Sequence, residues 1–521
     1  MQSSKLGPTG HAQERARELS TASLELLNRH TLVIASNRGP VEFQIDETGA
    51  ITHRRGTGGV VTAISALSRY SDPIWIASAM TEGDRERARI AAERGETVIS
   101  PEGSPFRLRF VTPEPEAYDG YYNRISNPLL WFLQHYLWDT PRTPDIDQHV
   151  WQAWTDGYVR VNEQFADEII AVADASPRPP LILLQDYHLY LVAGLIRQRR
   201  PDLILQHFVH IPWPDPDYWQ LLPRRMRQEI CESMLANDIV GFQTPSHSRS
   251  FMNTCAANLA EAELDYRTGT IAYHGHATRV RDYPISIDTE AVRQTAATED
   301  ARRHAQRLAD FRNEFTIMRV DRAEPSKNIV RGFLAYDRFL ERYPAFLGRI
   351  NFLAFLVPSR LEVAEYIDYL DDINTVVGRI NTKYANVAER DGIAWQPIYL
   401  FIGDDYPRAL AAMTQYDVLL VNAMYDGMNL VAKEGALLNE RDGVIVLSEG
   451  AGAYQQLGAH AVTVSPTDIE GTAEAIYTAL TMPKPDRAAR AARLRDIVIE
   501  QDIFRWIYSQ LEDLSALAKT P

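Results

Sequence analysis

At 521 residues the chain is too long for one ordinary hydrophobic core, so two large domains are the natural expectation. A net charge of −15 argues against a broad surface for nucleic acid or anionic membrane, so cations that serve phosphate must be gathered locally. Apolar residues make up 45% and charged residues 24%, ordinary for a soluble globular protein, and no run approaches the ~18 apolar residues that span a bilayer.

Residues 1–28 are polar and lack the apolar core of a signal peptide, which predicts a flexible or weakly helical extension. Thr31–Ser36 then reads as a first strand and ends at Asn37-Arg38-Gly39-Pro40. The Gly-rich run from Arg54 to Val61, with Gly58 and Gly59 at its centre, suits close approach of backbone to a phosphate; the same glycines also suit a plain turn. Pro73–Ala77 is a second strand. The aromatic cluster from Tyr121 and Tyr122 through Asn127 to Trp131 would wall in a sugar or fill a core, and sequence does not separate the two.

Pro180–Leu184 and Leu203–Val209 are further apolar strands, with a helix over Ala193–Arg199 between them. Each runs into polar residues: Gln185-Asp186-Tyr187-His188 after one, and His210-Ile211 with prolines at 212, 214 and 216 after the other. His188, His207 and His210 lack the spacing of a zinc site, so no metal is expected. Cys231 and Cys255 are the only cysteines, which fits a reduced, cytoplasmic setting.

Between Ile285 and Arg312 the pattern turns polar and helical, notably over Ala301–Phe311, and the passage between domains is placed there. The second half reads as strand Thr316–Val320, helix Ile329–Arg342, strand Arg349–Leu356 and strand Ile398–Ile402. Asp417–Asn422 follows as a buried strand, then Tyr425-Asp426-Gly427-Met428-Asn429 and a helix that includes Ala432–Leu438. Alternating strands and helices predict an α/β chain of two doubly wound Rossmann-like domains, with a ligand crevice at the carboxyl ends of their parallel strands. The expected division is 1–28 as extension, 29–290 and 310–495 as the two domains, and 496–521 as a C-terminal helix packing back on the N-terminal domain.

A strand, a Gly-containing turn and a helix start at Asp426–Glu434 offer free N–H groups to phosphate and carboxylates to sugar hydroxyls, which points to a nucleotide-sugar. Arg322 and Lys327, five residues apart in a predicted strand–helix loop, suit a diphosphate, although without the turn at Asp426 a solvated basic loop would be the better reading; Arg360 after the next strand is a further candidate anion ligand.

These ordered segments together resemble the trehalose-6-phosphate synthases, retaining glycosyltransferases of the GT-B fold, from about Leu32 to Asp502–Trp506. The resemblance rests on Ser36-Asn-Arg38, Tyr121-Tyr-Asn with Ser126-Asn and Trp131, Asp186-Tyr-His, His210-Ile-Pro, Gly241-Phe-Gln-Thr244, Ser326-Lys327 and Asp426 to Glu434. It implies transfer of glucose from UDP-glucose or GDP-glucose to glucose 6-phosphate, with no metal or other cofactor and with small molecules, rather than nucleic acid or membrane, as partners. A homo-oligomer is compatible with all of this.

By the same resemblance Arg38, Tyr122, Asp186 and Arg360 hold the acceptor and its phosphate. Gly58, Gly59, Arg322, Lys327 and Leu430, Val431, Ala432, Lys433 and Glu434 hold the nucleotide-sugar, with Tyr406 beside the base. Arg322, Lys327, His210 and Asp426 carry catalysis, the last two touching donor glucose, while Trp131 and Ile211 select the α anomer.

The chain departs from the family pattern in three places. Gln185 stands for a His before Asp-Tyr-His, Tyr425 for an Arg before Asp-Gly-Met-Asn, and Arg322-Ala-Glu-Pro-Ser-Lys-Asn328 for Arg-Leu-Asp-Tyr-Ser-Lys-Gly. Both cations survive, while the base and the fine acceptor preference stay open. The rivals are another acceptor, glycerol 3-phosphate or a cyclitol, and a catalytically silent regulatory subunit. No room is expected after Leu511 for a fused phosphatase domain.

Overall fold

A computed structural model describes residues 20–55, 61, 67, 70–96, 98–101, 106–360, 363–386 and 395–518. The chain divides into two compact units, one made of residues 1–285 with Ile503–Pro521, the other of Ser286–Asp502.

In the first unit Thr31–Ser36 is apolar on both faces, as a strand covered by helices on each side must be, and its first five residues are buried. It lies inside a nine-stranded sheet. The spatial order is Arg107–Val111, Ile74–Ser78, Thr31–Ser36, Pro180–Gln185, Ile204–Phe208, Ile239–Phe242 and His276–Asp282, all parallel. An antiparallel extension, Thr270–Tyr273 and Glu263–Asp265, completes it. Chain order reverses between Thr31–Ser36 and Pro180–Gln185, because the next strands of the sheet go to one side of the first and the later ones to the other. The carboxyl ends at that reversal are Asn37-Arg38 and Asp186-Tyr187-His188, and such a reversal is where open α/β sheets bind ligands.

The helix Ile503–Ala518 belongs to this unit. Trp506 packs edge-on against Phe208 at 5.2 Å, Gln206 bonds Gln510 at 2.5 Å, and the Tyr283 hydroxyl donates to Asp513 at 2.6 Å. Thr21–Arg29, read from sequence within a flexible or weakly helical extension, is a helix that packs on Ile503–Ala518 with Leu26 and Leu27 buried. Those two leucines are a short apolar stripe that gains order only from its partner helix.

The second unit has a six-stranded, wholly parallel sheet, ordered Ile398–Ile402, Ile350–Pro358, Phe315–Ala323, Val418–Val421, Val444–Ser448 and Val462–Val464. Ile317, Phe333, Phe339, Phe352 and Ile476 are among its core residues, all fully buried. The polar segment expected to join the domains forms helices Thr289–Ala296 and Glu299–Leu308, which pack on Tyr406–Met413 and so belong here. Chain order reverses between Phe315–Ala323 and Val418–Val421, placing Glu324–Lys327 beside Ala423–Asn429.

Candidate active site

The second unit gathers its cations around one carboxylate. The first strand runs to Ala323, so Arg322 lies within it rather than in the loop expected from sequence; pairing of Arg322 with Val357 and Ala323 with Pro358 extends the strand. Glu324, fully buried, follows. Its Oε1 faces Arg322 Nη2 at 3.1 Å, Lys327 Nζ at 3.8 Å and the Ser326 hydroxyl at 3.0 Å. Its Oε2 faces Arg360 Nη1 at 3.3 Å, and the same guanidinium donates to the Tyr366 hydroxyl at 2.5 Å.

Lys327 also pairs with Asp426, 99 positions later in the chain. Burial acts to lower the ammonium's pKa, but the Asp426 and Glu324 carboxylates more than offset it, so the group is held above its ordinary value and stays charged. Asp426 is held from a second side by Asn429 Nδ2 at 3.0 Å. Asn429 adopts φ +72°, a left-handed conformation that Asn tolerates, and its Oδ1 accepts from Ala432 N–H at 3.3 Å to cap the helix Leu430–Leu438. Asn328, at φ +57°, donates to the carbonyls of Asn422 and Pro466 at 2.9 and 2.6 Å, and Asn422 returns a bond to Asn328 at 3.1 Å. Arg360, at φ +49°, is a third left-handed residue in the same cluster. Such conformations each cost on the order of 1 kcal/mol and persist where the surroundings enforce them.

Along the helix, Glu434 is half-buried and accepts from the Tyr406 hydroxyl at 2.8 Å. Desolvation pushes its carboxyl up to about 7, against the lowering effect of that bond. Desolvation also lowers Lys433 to about 7. The Ala432 and Lys433 side chains are buried, so Leu430, Val431 and Glu434 are the partly exposed members of the predicted stretch.

The first unit builds a different surface at its own reversal point. Asp186, at φ +71°, donates its N–H to Phe208 O at 2.8 Å, and its Oδ1 accepts the His210 backbone N–H at 3.2 Å. His210 Nε2 bonds Gln185 Oε1 at 3.0 Å, which as oriented places the ring proton on Nε2. Desolvation lowers this imidazole to about 3, so the ring is neutral throughout the ordinary pH range.

Tyr122 stacks between Tyr118 (5.6 Å, 11°) and His188 (5.9 Å, 12°). It lies on a π-helix, Gly120–Trp131, that packs on a second, Ala153–Val159; a Cβ on Gly157 would sit 2.7 Å from Gly120 C. Trp131 and Ile211 are buried, Trp131 stacked on His135 at 4.0 Å, while Arg38 is exposed at the end of its strand. Gly58 and Gly59 lie outside the described residues. Among the described residues no cluster of three or more His, Cys, Asp or Glu side chains is arranged to hold a metal, and no helix is long and apolar enough to cross a membrane.

A family model described as Glycosyltransferase family 20 matches residues 30–516. The chain belongs to glycosyltransferase family 20. A trehalose-6-phosphate synthase of Mycobacterium marinum is 32% identical over 527 residues, 98% of each chain. The validamine 7-phosphate valienyltransferase of Streptomyces hygroscopicus subsp. jinggangensis is 31% identical over 494 residues, 93% of this chain and 94% of its own. Among solved structures, an α,α-trehalose-phosphate synthase (UDP-forming) from Burkholderia xenovorans, in complex with glucose-6-phosphate, superposes with a TM-score of 0.76 at 27% identity, covering 93% of this chain and 99% of the other. The family-20 chain therefore has the GT-B fold, two Rossmann-like domains, as expected from sequence.

Within each unit the segments that carry the family resemblance converge: Lys327 with Asp426 in one, Tyr122 with His188 and Asp186 with His210 in the other. Sequence reasoning missed Glu324 as a site residue, along with Asn328 and Tyr118. For Glu324 the available signal was an acidic residue lying between Arg322 and Lys327.

Proposed function

We propose that this chain transfers glucose from UDP-glucose or GDP-glucose to glucose 6-phosphate with retention, forming α,α-trehalose 6-phosphate. The supporting observation is the Lys327–Asp426 pair at the sheet reversal of the second unit, with Arg322 and Arg360 gathered on Glu324. Arg322, Lys327 and the N–H groups at the start of Leu430–Leu438 take the charge that develops on the departing nucleoside diphosphate. The bond from C1 to the phosphate oxygen breaks, a bond from C1 to the acceptor's anomeric oxygen forms on the same face, and the acceptor proton passes to the leaving phosphate. No protein nucleophile is needed. Asp426 and neutral His210 hydrogen-bond the donor glucose. Arg38, Tyr122, Asp186 and Arg360 hold the acceptor, Trp131 and Ile211 select its α anomer, and Tyr406 lies beside the base.

The test incubates the protein with UDP-glucose or GDP-glucose and, in turn, glucose 6-phosphate, glycerol 3-phosphate and validamine 7-phosphate, with NMR identification of products. α,α-Trehalose 6-phosphate as the main product is expected; a product from either other acceptor alone, or no release of nucleoside diphosphate with any, overturns the proposal.

Two further results are expected. Arg360→Ala raises the KM for glucose 6-phosphate about tenfold, the loss of one charged hydrogen bond, with a smaller change in donor KM; a purely donor-side effect would reassign Arg360. Glu434 gives the second. With its folded pKa raised from 4.5 to about 7, the carboxyl is protonated below pH 7 and ionised above it. Ribose hydroxyls donate more strongly to the anion, so UDP affinity by calorimetry should rise about fivefold more from pH 6 to pH 8 in the wild type than in Glu434→Gln, the difference isolating Glu434 from Lys433 and from the phosphate of UDP. The same shift makes the unliganded fold lose stability as pH rises from 4.5 through 7, because the unfolded chain releases the proton first.

A further inference from the structure

Glu324 divides its two oxygens between two sets of cations. Oε1 faces Arg322 and Lys327, the pair assigned to the diphosphate, and Oε2 faces Arg360, assigned to the phosphate of the acceptor. Ser326 donates to Oε1 at 3.0 Å and fixes the carboxylate's rotation. The side chain is fully buried, so its negative charge is screened little by water. Arg322, by contrast, is 44% exposed, while Lys327 and Arg360 are largely buried around the same anchor, at 11% and 10% exposed.

We infer that Glu324 is a positioning residue for both substrates: one buried carboxylate sets the separation and aim of the diphosphate cations and of the sugar-phosphate cation together. The inference rests on the reading of the reaction given above and extends it to how the two anionic subsites are held in register. Three long side chains carry large rotamer freedom, and a site that orders them before substrate arrives avoids that cost at the moment of reaction. The carboxylate also neutralises one of the three positive charges, so it opposes ground-state binding of phosphate while favouring the geometry that serves the transition state. The two effects separate on substitution. A residue that merely supported the fold would weaken binding, turnover and stability together. A positioning residue of this kind, once neutralised, lets anions bind as well or better while turnover falls.

The test uses the full chain and three variants. In Glu324→Gln one oxygen is replaced by an amide NH2 that must point at a cation on one side or the other. Turnover should fall at least ~30-fold, the loss of one charge-assisted contact and the order it imposes, while the dissociation constants of UDP and glucose 6-phosphate, measured separately by calorimetry, stay within twofold of wild type or tighten. Glu324→Asp keeps the charge and should recover part of the turnover. Ser326→Ala, which leaves the carboxylate in place and removes the hydroxyl that orients it, should lose turnover about threefold to tenfold without weaker UDP binding, and it carries the test if Glu324→Gln does not fold. Weaker binding of both anions in parallel with a lowered melting temperature, and no recovery in Glu324→Asp, would show an ordinary structural role and overturn the inference. Turnover of Glu324→Gln within twofold of wild type would also overturn it. The binding readouts need no turnover: a wild-type chain that binds UDP and glucose 6-phosphate but makes another product refutes the proposed reaction. The Glu324 inference is then judged on whichever transfer the product analysis identifies.

Discussion

Lys327→Ala is expected to lower turnover at least ~100-fold, about 2.7 kcal/mol of transition-state stabilisation. The ammonium is fixed by Asp426 and Glu324 and held charged by them, so it needs no reorganisation when negative charge builds on a leaving diphosphate. Substitution also leaves Asp426 without its cation, although Asn429 still donates to the same carboxylate oxygen at 3.0 Å. Part of the penalty therefore falls on the fold, and the rate should be compared at matched folded fraction by circular dichroism. Lys327→Arg should not restore the rate, because a planar fork cannot reproduce a point charge between two carboxylates. A wild-type rate in Lys327→Ala would remove this side chain from the chemistry.

Gly452→Ala is the second large effect. The segment Gly450–Ala453 runs beside the Asp426–Met428 turn: Asp426 N–H donates to Gly450 O at 3.0 Å, Gly452 N–H to Asp426 O at 3.0 Å and Ala453 N–H to Met428 O at 2.7 Å. A Cβ on Gly452 would overlap the Gly427 carbonyl oxygen and lie 2.7 Å from its carbon. Backbone cannot swing aside as a flexible side chain can, so the turn must move. Displacing Asp426 by about 1 Å should cost roughly 100-fold in turnover, with about 1–3 kcal/mol of stability lost to overpacking. A variant with the wild-type rate and melting temperature would show that the turn yields freely and that its placement does not matter.

How much of this was legible beforehand follows from the range of the interactions involved. The strand Ile398–Ile402 and the helix Ile329–Arg342 have the boundaries read from sequence, because continuous apolar runs and a 3.6-residue stripe are local patterns. Arg322 was misplaced into a loop because Pro325 suggests an earlier stop, whereas pairing with Val357 carries the strand on. The π-helix Gly120–Trp131 leaves no periodic signal that a reader would separate from an ordinary helix, and the close approach of Gly120 to Gly157 that packs it lies across another element. Lys327 and Asp426 were each singled out by type and motif, but only sheet order joins them. Glu324 was overlooked because its importance lies in being buried, and burial of an acid is decided by the three cations around it rather than by its neighbours in the chain.

The way Ile503–Ala518 fills the first unit has a consequence for synthesis on the ribosome. Phe208, Gln206 and Tyr283 acquire Trp506, Gln510 and Asp513 only when the last segment has been translated. At ~5–20 residues per second, the stretch from Ser286 to Asp502 occupies roughly 10–40 s. The half of the polypeptide made earliest is thus finished last, and nascent chains stalled before Ile503 should expose an unfilled apolar groove that invites chaperones.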